Sequence, residues 1–280
     1  MPPNEKFPLR EVPSAVIDGA KCDLAEYSIG FVRLESTPRG QDAVLLGSGT
    51  LVSAGSKRAV LTADHVLSNL PRTGRLGLII SQTLEQHTVD TEGLAYLPIA
   101  RGKIDADGPD LGAVVLAPSI AGAIAAKKTF YNLDLRRDQM LHSPPGLHEG
   151  FWFVNGFVDE YTVVEPGSDR YGSVKGFYNV SGAGGPEESI VAGDHDYFAF
   201  PVGYRERAVA PKRFGGMSGG GLWQVPLDHD AQGQIKHKTP LLSGVVFYQA
   251  PTTDAYCGVK CHGRRSVYGV AYQAIAHGGP

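Results

Sequence analysis

The sequence predicts an all-β protein, built as a barrel or a sandwich, on three observations. The chain has 36 Gly and 19 Pro among its 280 residues, which is typical of a fold with many turns. Short runs of β-type residues recur between turn signals, and helical periodicity is scarce. The predicted strands are 27–34, 43–52, 59–62, 75–81, 86–90, 111–116, 151–154, 160–164, 197–202, 220–225, 241–248 and 266–272.

The predicted strands form two groups, which divide the chain into two β-rich halves. We expect an N-terminal extension over the surface at 1–25, a first half at 26–125, a connector with one short helix at 126–150, and a second half at 151–280. Residues 166–196 are dense in Gly, Ser, Asp and Glu, so we predict long surface loops there. A helical turn is expected to close the C-terminal tail.

Charge and composition bound the partners and the location. The net charge is −3, which gives no electrostatic reason to expect nucleic acid or an anionic membrane as a partner. The first residues lead into no apolar run, and no stretch approaches about 18 apolar residues, so we predict neither a signal peptide nor a membrane span. The three cysteines, a low and odd number, fit a reducing compartment. A cytoplasmic location is therefore expected.

Two cysteines and a histidine lie close together in the segment Cys257-Gly258-Val259-Lys260-Cys261-His262. The spacing resembles part of a metal site, but no convincing fourth ligand lies nearby in the sequence. Two free thiols or a local disulfide are the alternatives. We therefore predict no metal site, and no cofactor.

The first candidate for chemistry is a serine within a run of glycines. The run is Gly215-Gly216-Met217-Ser218-Gly219-Gly220-Gly221, and an apolar strand follows it. Glycines allow tight or left-handed backbone, which can expose the Ser218 hydroxyl and turn backbone N–H groups to one side. Acyl transfer needs this combination of a nucleophile and an oxyanion pocket. The alternative is a glycine-rich turn between two strands.

A histidine and an aspartate lie at the edges of two other predicted strands. His65 follows strand 59–62, and histidine can take and return a proton near neutral pH. Asp110 precedes strand 111–116, where a partly buried carboxylate can hold an imidazole by a hydrogen bond. Singly, each has a structural alternative, a core histidine or a loop cap. Together with Ser218 they predict a catalytic triad.

Four motifs resemble the chymotrypsin/trypsin-like serine peptidase family. Thr62-Ala63-Asp64-His65 is similar to the family's Thr-Ala-Ala-His, and Asp110-Leu111-Gly112-Ala113-Val114-Val115 to its Asp-Ile-Ala-Leu-Leu. Gly216-Met217-Ser218-Gly219-Gly220 is similar to Gly-Asp-Ser-Gly-Gly, and Gly47-Ser48-Gly49-Thr50-Leu51-Val52 to the strand before the histidine. The resemblance spans roughly 27–272. It implies two antiparallel six-stranded β-barrels with the active site in the cleft between them.

The resemblance also implies a role for each site residue in the cleavage of a polypeptide. Ser218 is the nucleophile, His65 the general base, and Asp110 the group that orients and stabilises the imidazolium. The N–H groups of Gly216 and Ser218 form the oxyanion hole. Segment 243–249 is implied to pair with the substrate main chain. The primary pocket is implied to be lined by Phe247, Tyr248 and Gln249 on one side and by Lys212, Arg213 and Phe214 on the other.

The pocket residues leave the substrate preference open. A cation at Lys212 or Arg213 favours an acidic substrate side chain. Pro211 and Phe214 equally favour an apolar or small one. A basic side chain is disfavoured, because no Asp or Glu lies between residues 207 and 227 to receive it.

Several departures from the family pattern predict a bacterial-type member that is not activated by N-terminal cleavage. Met217 replaces the acidic residue that pairs with a new N-terminus in zymogen-activated members, and the Ile-Val-Gly-Gly start is missing. Asp64 replaces a small residue, and its carboxylate must point away from His65 or it would alter the pKa of the imidazole. The usual disulfides have no counterparts. A small intracellular peptidase without an inhibitor domain needs restraint, which points to a regulatory protein partner.

Two other classes of protein compete with this interpretation. The Gly-x-Ser-x-Gly elbow of α/β-hydrolases fits residues 216–220, but that fold orders its triad Ser, Asp, His, and too few residues follow Ser218. A catalytically silent trypsin-like fold used as a protein-binding module is the stronger alternative. Intact His65, Asp110 and Ser218 favour the enzyme, and labelling by a fluorophosphonate would separate the two.

Overall fold

Antiparallel β-sheet dominates the structure, with one large sheet in each half of the chain. This computed structural model describes residues 12–37, 40–80, 87–102, 108–166, 173–186, 188–203, 211, 213–250 and 258–278. The described part contains no helix that is both long enough and apolar enough to cross a membrane.

The first half forms an open sheet with the strand order β5-β4-β1-β2-β3-β7-β6, and the short β8 pairs with β2 in parallel. Its shape is that of a half-barrel across the described residues. The elements are α1 Ser14–Glu26, β1 Ser28–Thr37, β2 Gly40–Ala54, β3 Lys57–Thr62, α2 Asp64–Asn69, β4 Arg75–Ile79, β5 His87–Asp90, β6 Leu94–Arg101, β7 Asp110–Leu116, α3 Pro118–Ala125, β8 Tyr131–Asn132 and α4 Arg137–His142.

The second half forms a closed antiparallel barrel of six strands. The order is β12-β9-β15-β18-β19-β14, pairing between β12 and β14 closes the ring, and β13 adds to β14 outside it. The elements are β9 Phe151–Phe157, β10 Val163–Pro166, β11 Ser173–Gly176, β12 Asn179–Gly184, β13 Glu188–Ala192, β14 His195–Gly203, β15 Gly221–Val225, β16 Leu227–His229, β17 Ile235–His237, β18 Leu241–Gln249, β19 Gly258–His262, a π-helical segment Ser266–Ala271 and α5 Tyr272–His277.

A shared apolar core joins the two sheets. Trp223 of the barrel packs against Tyr27 and Tyr131 of the first half, with ring centroids 5.2 and 5.4 Å away. Leu61 and Tyr268 belong to the same cluster and are fully buried. Burial of such large side chains is worth on the order of 2–3 kcal/mol each, so the two halves are fixed against each other.

Two helical segments were not expected from the sequence. The predicted surface extension contains helix α1, which buries Ile17, Ala20 and Leu24 at helical spacing. The predicted strand 266–272 is instead π-helical, so that prediction is wrong. The start of this helical segment is capped, since the Asp196 carboxylate accepts hydrogen bonds from the backbone N–H groups of Arg265 and Ser266 at 3.1 and 2.8 Å.

The loop prediction for residues 166–196 is also wrong over much of its length. Strands β11, β12 and β13 lie there, and β12 is the strand that closes the barrel. Its sequence, Asn-Val-Ser-Gly-Ala-Gly, is rich in residues that are typical of loops. Pairing with β9 over six residues overrides that local tendency. Strands β6 and β19 were not predicted either.

Candidate active site

His65 and Asp110 meet because two neighbouring strands end at the same sheet edge. β3 and β7 are antiparallel, with Thr62 opposite Gly112, so the residues after β3 lie beside the start of β7. His65 occupies the first turn of α2, directly after this edge. Its Nδ1 atom lies 2.5 Å from Asp110 Oδ2, and its backbone N–H donates to Asp110 Oδ1 at 2.9 Å.

The Asp110 carboxylate is buried and ionised. Only 8% of its side chain is exposed, against 25% for His65. Burial raises the pKa of Asp110, but hydrogen bonds from the His65 ring and from the backbone N–H groups of His65 and Asp64 outweigh it, so the net pKa is lowered. The carboxylate therefore fixes a proton on His65 Nδ1, and His65 Nε2 is the nitrogen that can exchange protons.

Asp64, next to the histidine, turns its carboxylate elsewhere. Its Oδ2 atom lies 3.2 Å from Nε of Arg101, whose side chain is 62% exposed. The acidic residue that replaces the family's small residue is thus paired with a cation. Its side chain contributes an ion pair, and its backbone N–H supports Asp110.

The loop 214–220, which carries Ser218 and which we call the serine loop, is shaped by two consecutive turns. The Met217 N–H donates to the Phe214 carbonyl at 2.9 Å, and the Gly220 N–H to the Met217 carbonyl at 2.8 Å. Gly216 and Gly219 adopt left-handed φ values of 86° and 90°. A Cβ atom on Gly219 would lie 2.0 Å from the Ser48 carbonyl oxygen, so only glycine fits there.

Strand β2 of the first half holds this loop by donating hydrogen bonds to the carbonyl oxygens of the loop. The Ser48 N–H donates to the Ser218 carbonyl at 2.9 Å, and the Ser48 hydroxyl donates to the Gly216 carbonyl at 2.6 Å. The Thr50 hydroxyl donates to the Gly219 carbonyl at 3.2 Å. We call these three bonds the β2 clamp. The motif Gly47-Ser48-Gly49 is visible in the sequence, but it does not predict this role of Ser48.

Three backbone donors in the loop, the N–H groups of Gly215, Gly216 and Ser218, have no acceptor in the described part of the chain. Gly216 and Ser218 are the pair expected to form an oxyanion hole. Donors that are held in place and not used within the protein can bind a negatively charged oxygen.

Ser218 and the helix that carries His65 approach the same point of β2. A Cβ atom on Gly47 would lie 2.7 Å from the Val66 methyl groups and 3.3 Å from the Ser218 carbonyl oxygen. Ser218 and His65 both lie within the described residues, and no hydrogen bond joins Ser218 Oγ to the His65 ring. In proteins without substrate such bonds are often long and tighten on binding.

The residues expected to line the primary pocket differ in their surroundings. Lys212 lies outside the described residues. The Phe214 N–H donates to the Gln249 side-chain oxygen at 2.8 Å, which links the two expected walls, and the Arg213 N–H donates to the Glu160 carboxylate at 2.9 Å. Tyr248 is half-buried. Phe247 is buried, and its ring packs on the His262 imidazole at 4.8 Å.

The cysteine and histidine segment forms part of the barrel instead of a separate site. Cys261 and His262 lie buried in β19, and Cys257 is outside the described residues. Cys261 is a free thiol whose pKa is raised by burial. Among the residues described, no group of three or more His, Cys, Asp and Glu side chains could hold a metal ion.

Buried histidines are expected to make the fold sensitive to acid. Burial, with a smaller contribution from His195, lowers the pKa of His262 from 6.5 to about 3, although the negative charge of Asp110 opposes this shift. Between these values the unfolded chain binds a proton that the folded chain does not, so stability falls as pH falls. His262 should contribute about 1.4 kcal/mol per pH unit in this window. Urea unfolding at pH 6.5 and 4.5 would measure it, and an equally steep loss in His262→Gln would contradict this account.

Ser48→Ala is expected to lower turnover about 10- to 100-fold, because it removes a hydrogen bond that positions the loop. The Ser48 hydroxyl also accepts from the Phe157 N–H at 2.7 Å, so two groups lose their partner. Steady-state kinetics would measure the loss. Ser28→Ala is the matched control, since Ser28 accepts from Asn179 across the same junction at 2.9 Å but does not contact the loop. Equal losses in both variants would show that the effect is general destabilisation.

Comparison with known proteins identifies no family for this chain. A scan against models of protein families gave no match, and a search of curated protein sequences gave none. The functional assignment therefore depends on the site itself.

Proposed function

We propose that this chain is a serine endopeptidase that cleaves peptide bonds through an acyl-enzyme, with Ser218, His65 and Asp110 as its triad. The observation that carries the proposal is the 2.5 Å contact between His65 Nδ1 and the buried Asp110 carboxylate. It lies close to a serine loop whose Gly216 and Ser218 N–H groups have no acceptor among the described residues. A carboxylate, an imidazole, a serine and an oxyanion pocket together define acyl-transfer chemistry.

Acylation begins when Ser218 Oγ attacks the carbonyl carbon of the scissile peptide bond. His65 Nε2 takes the hydroxyl proton as the new bond forms, and Asp110 stabilises the resulting imidazolium. The carbonyl oxygen becomes an oxyanion that accepts hydrogen bonds from the N–H groups of Gly216 and Ser218. Because these donors are fixed before substrate arrives, little reorganisation is needed in the transition state.

Collapse of the intermediate breaks the C–N bond. His65 returns its proton to the leaving amine, and the acyl group remains as an ester on Ser218. Water then attacks the ester with His65 again acting as the base. The second product leaves with a new carboxyl terminus, and the Ser218 hydroxyl is restored.

The fold we propose is the trypsin-like arrangement of two β-barrels with the site between them. Its support is the closed six-stranded barrel of the second half and the half-barrel sheet of the first. His65 and Asp110 come from the first half, and Ser218 comes from a loop of the second. A site divided between two rigid sheets lies in a cleft that an extended chain can enter.

A polypeptide is the proposed substrate because β18 can receive an extended chain. β15 pairs with β18 only as far as Val245, and the turn at Gly219 and Gly220 bonds Val246. The strand continues past these partners to residues 247–249, next to the serine loop. Addition of a substrate strand there would bring the scissile bond to Ser218.

A binding module with a trypsin-like fold is the second candidate. The observation that favours it is the lack of a hydrogen bond between Ser218 Oγ and His65 in the described structure. Such a module would bind an extended segment along β18 without cleaving it. The two candidates differ in one measurable property, the production of new chain termini.

Incubation with an unfolded protein substrate tests the proposal. Mass spectrometry should detect new N-termini, whose formation stops when a fluorophosphonate is added first. The sequences around the cleaved bonds also show which substrate side chain is preferred. The pocket residues leave this preference open between an acidic side chain and an apolar or small one. Binding of the substrate without any new terminus, and without inhibition or labelling, would identify the binding module instead.

A further inference from the structure

His262 joins the two halves of the molecule at the carboxylate of the proposed triad. It lies at the end of β19 in the barrel and is fully buried. Its Nε2 atom accepts a hydrogen bond from the backbone N–H of Asp110 at 3.1 Å. Asp110 is the first residue of β7 in the other half, so the bond crosses the junction directly behind the carboxylate.

The imidazole of His262 is neutral and has one defined tautomer. Because Nε2 accepts a hydrogen bond, the ring proton lies on Nδ1, which has no partner among the described residues. Burial and the nearby His195 together lower the pKa of His262 to about 3, while the negative charge of Asp110 opposes the shift. Near neutral pH the Nε2 atom therefore remains an acceptor.

Aromatic rings pack around this imidazole. Phe247, Tyr197 and His195 surround it with ring centroids at 4.8, 5.1 and 5.6 Å. The titratable groups that act on the ring are His195, Tyr197 and Asp110. Burial lowers the pKa of His195 and raises the pKa of Tyr197, so both are neutral and only the Asp110 carboxylate is charged.

The bond to His262 complements the β2 clamp. The clamp holds the Ser218 loop of the barrel against the first half through Ser48 and Thr50. In the other direction, His262 of the barrel holds Asp110 of the first half by accepting its backbone N–H. The two contacts therefore hold the Ser218 loop and Asp110 from opposite sides of the same junction.

We propose that His262 is a positioning residue, whose neutral imidazole holds the Asp110 backbone and so aligns His65 with Ser218. The inference rests on the proposed peptidase function. The side chain touches neither substrate nor the reacting atoms, and it acts through Asp110. Its effect should therefore appear in turnover, which depends on alignment in the transition state, and much less in substrate binding.

A pair of amide variants separates alignment from packing. In His262→Gln the side-chain oxygen reaches the position of Nε2 and can accept from Asp110, whereas in His262→Asn it reaches only the position of Nδ1. Both variants bury an amide in the same site. His195→Asn is the matched control, since His195 lies in the same aromatic cluster and no bond joins it to Asp110 among the described residues.

His262→Asn should lower kcat about 10- to 100-fold with KM changed less than about twofold, while His262→Gln recovers most of the loss. His195→Asn should keep the kcat of the unchanged protein. A second readout needs no activity: the low-field proton NMR signal of the His65 Nδ1–H bound to Asp110. It should shift or broaden in His262→Asn and stay in place in the other two variants.

Three results would overturn the inference. One is equal kcat values for the Gln and Asn variants, and another is a loss in His195→Asn as large as that in His262→Asn. The third is an unchanged low-field signal in His262→Asn. If the unchanged protein neither cleaves peptides nor reacts with a fluorophosphonate, the proposed function fails, and the NMR signal still decides whether His262 positions Asp110.

Discussion

Replacing Ser218 with alanine is expected to reduce kcat for peptide hydrolysis by about 10⁶, to the level set by the remaining oxyanion donors. The hydroxyl is the only atom group removed, and it makes no hydrogen bond within the described residues. The fold should therefore be as stable as before. Steady-state kinetics on a peptide substrate, together with a thermal melt, would measure both effects.

A second serine provides the control for this variant. Ser189 is exposed on β13, the strand outside the closed ring, and its replacement by alanine should leave kcat unchanged. Activity that survives purification of Ser218→Ala would mean that another residue is the nucleophile. A large loss in Ser189→Ala would instead indicate that the assay reports folding.

Asp110→Asn should lower kcat by about 10⁴, because an amide no longer fixes the proton on His65 Nδ1 or stabilises the imidazolium. The Asp110 carboxylate accepts from the His65 ring at 2.5 Å and from its backbone N–H at 2.9 Å, and the amide can reproduce only part of this. Kinetics above and below neutral pH would measure the loss.

Asp64→Asn is the matched control for Asp110→Asn. Asp64 lies next to His65 in the chain, but its carboxylate pairs with the exposed Arg101. Such a pair is worth at most about 1 kcal/mol, so kcat should change less than about fivefold. Similar losses in the two variants would show that Asp110 has no special role beyond general negative charge near His65.

The sequence predicts the β-rich character of the fold and the strand edges that carry the site. His65 and Asp110 each adjoin a short apolar strand, and residues at neighbouring strand ends meet when the strands pair. Glycines on both sides of Ser218 are visible as a motif, and two of them have left-handed φ values. These features are local, and periodicity and residue type are enough to recognise them.

The remaining features depend on contacts between residues far apart in the chain. Closure of the barrel requires β12, whose sequence is typical of a loop and is stabilised by pairing with β9 and β14. The segment 266–272 is predicted as a strand but is helical, and the distant Asp196 carboxylate accepts hydrogen bonds from the backbone at its start. Local propensity cannot reveal either result.

The supporting residues of the site were hidden for the same reason. Ser48 and His262 act across the junction between the two halves, on Gly216 and Asp110 respectively. Nothing in the sequence around His262 indicates that its partner is Asp110, and the segment 257–262 resembles only part of a metal site. Packing of the two sheets against each other is what brings these side chains to the proposed triad.

Reaction with a fluorophosphonate tests the central claim most directly, because the reagent requires a serine that is activated by its own base and oxyanion pocket. Intact-mass analysis of the unchanged protein should show one adduct, and peptide mapping should locate it on Ser218. Neither Ser218→Ala nor His65→Ala should gain the adduct. No adduct on the folded protein, or an adduct on a different residue, would contradict the assignment of Ser218, His65 and Asp110 as a working triad.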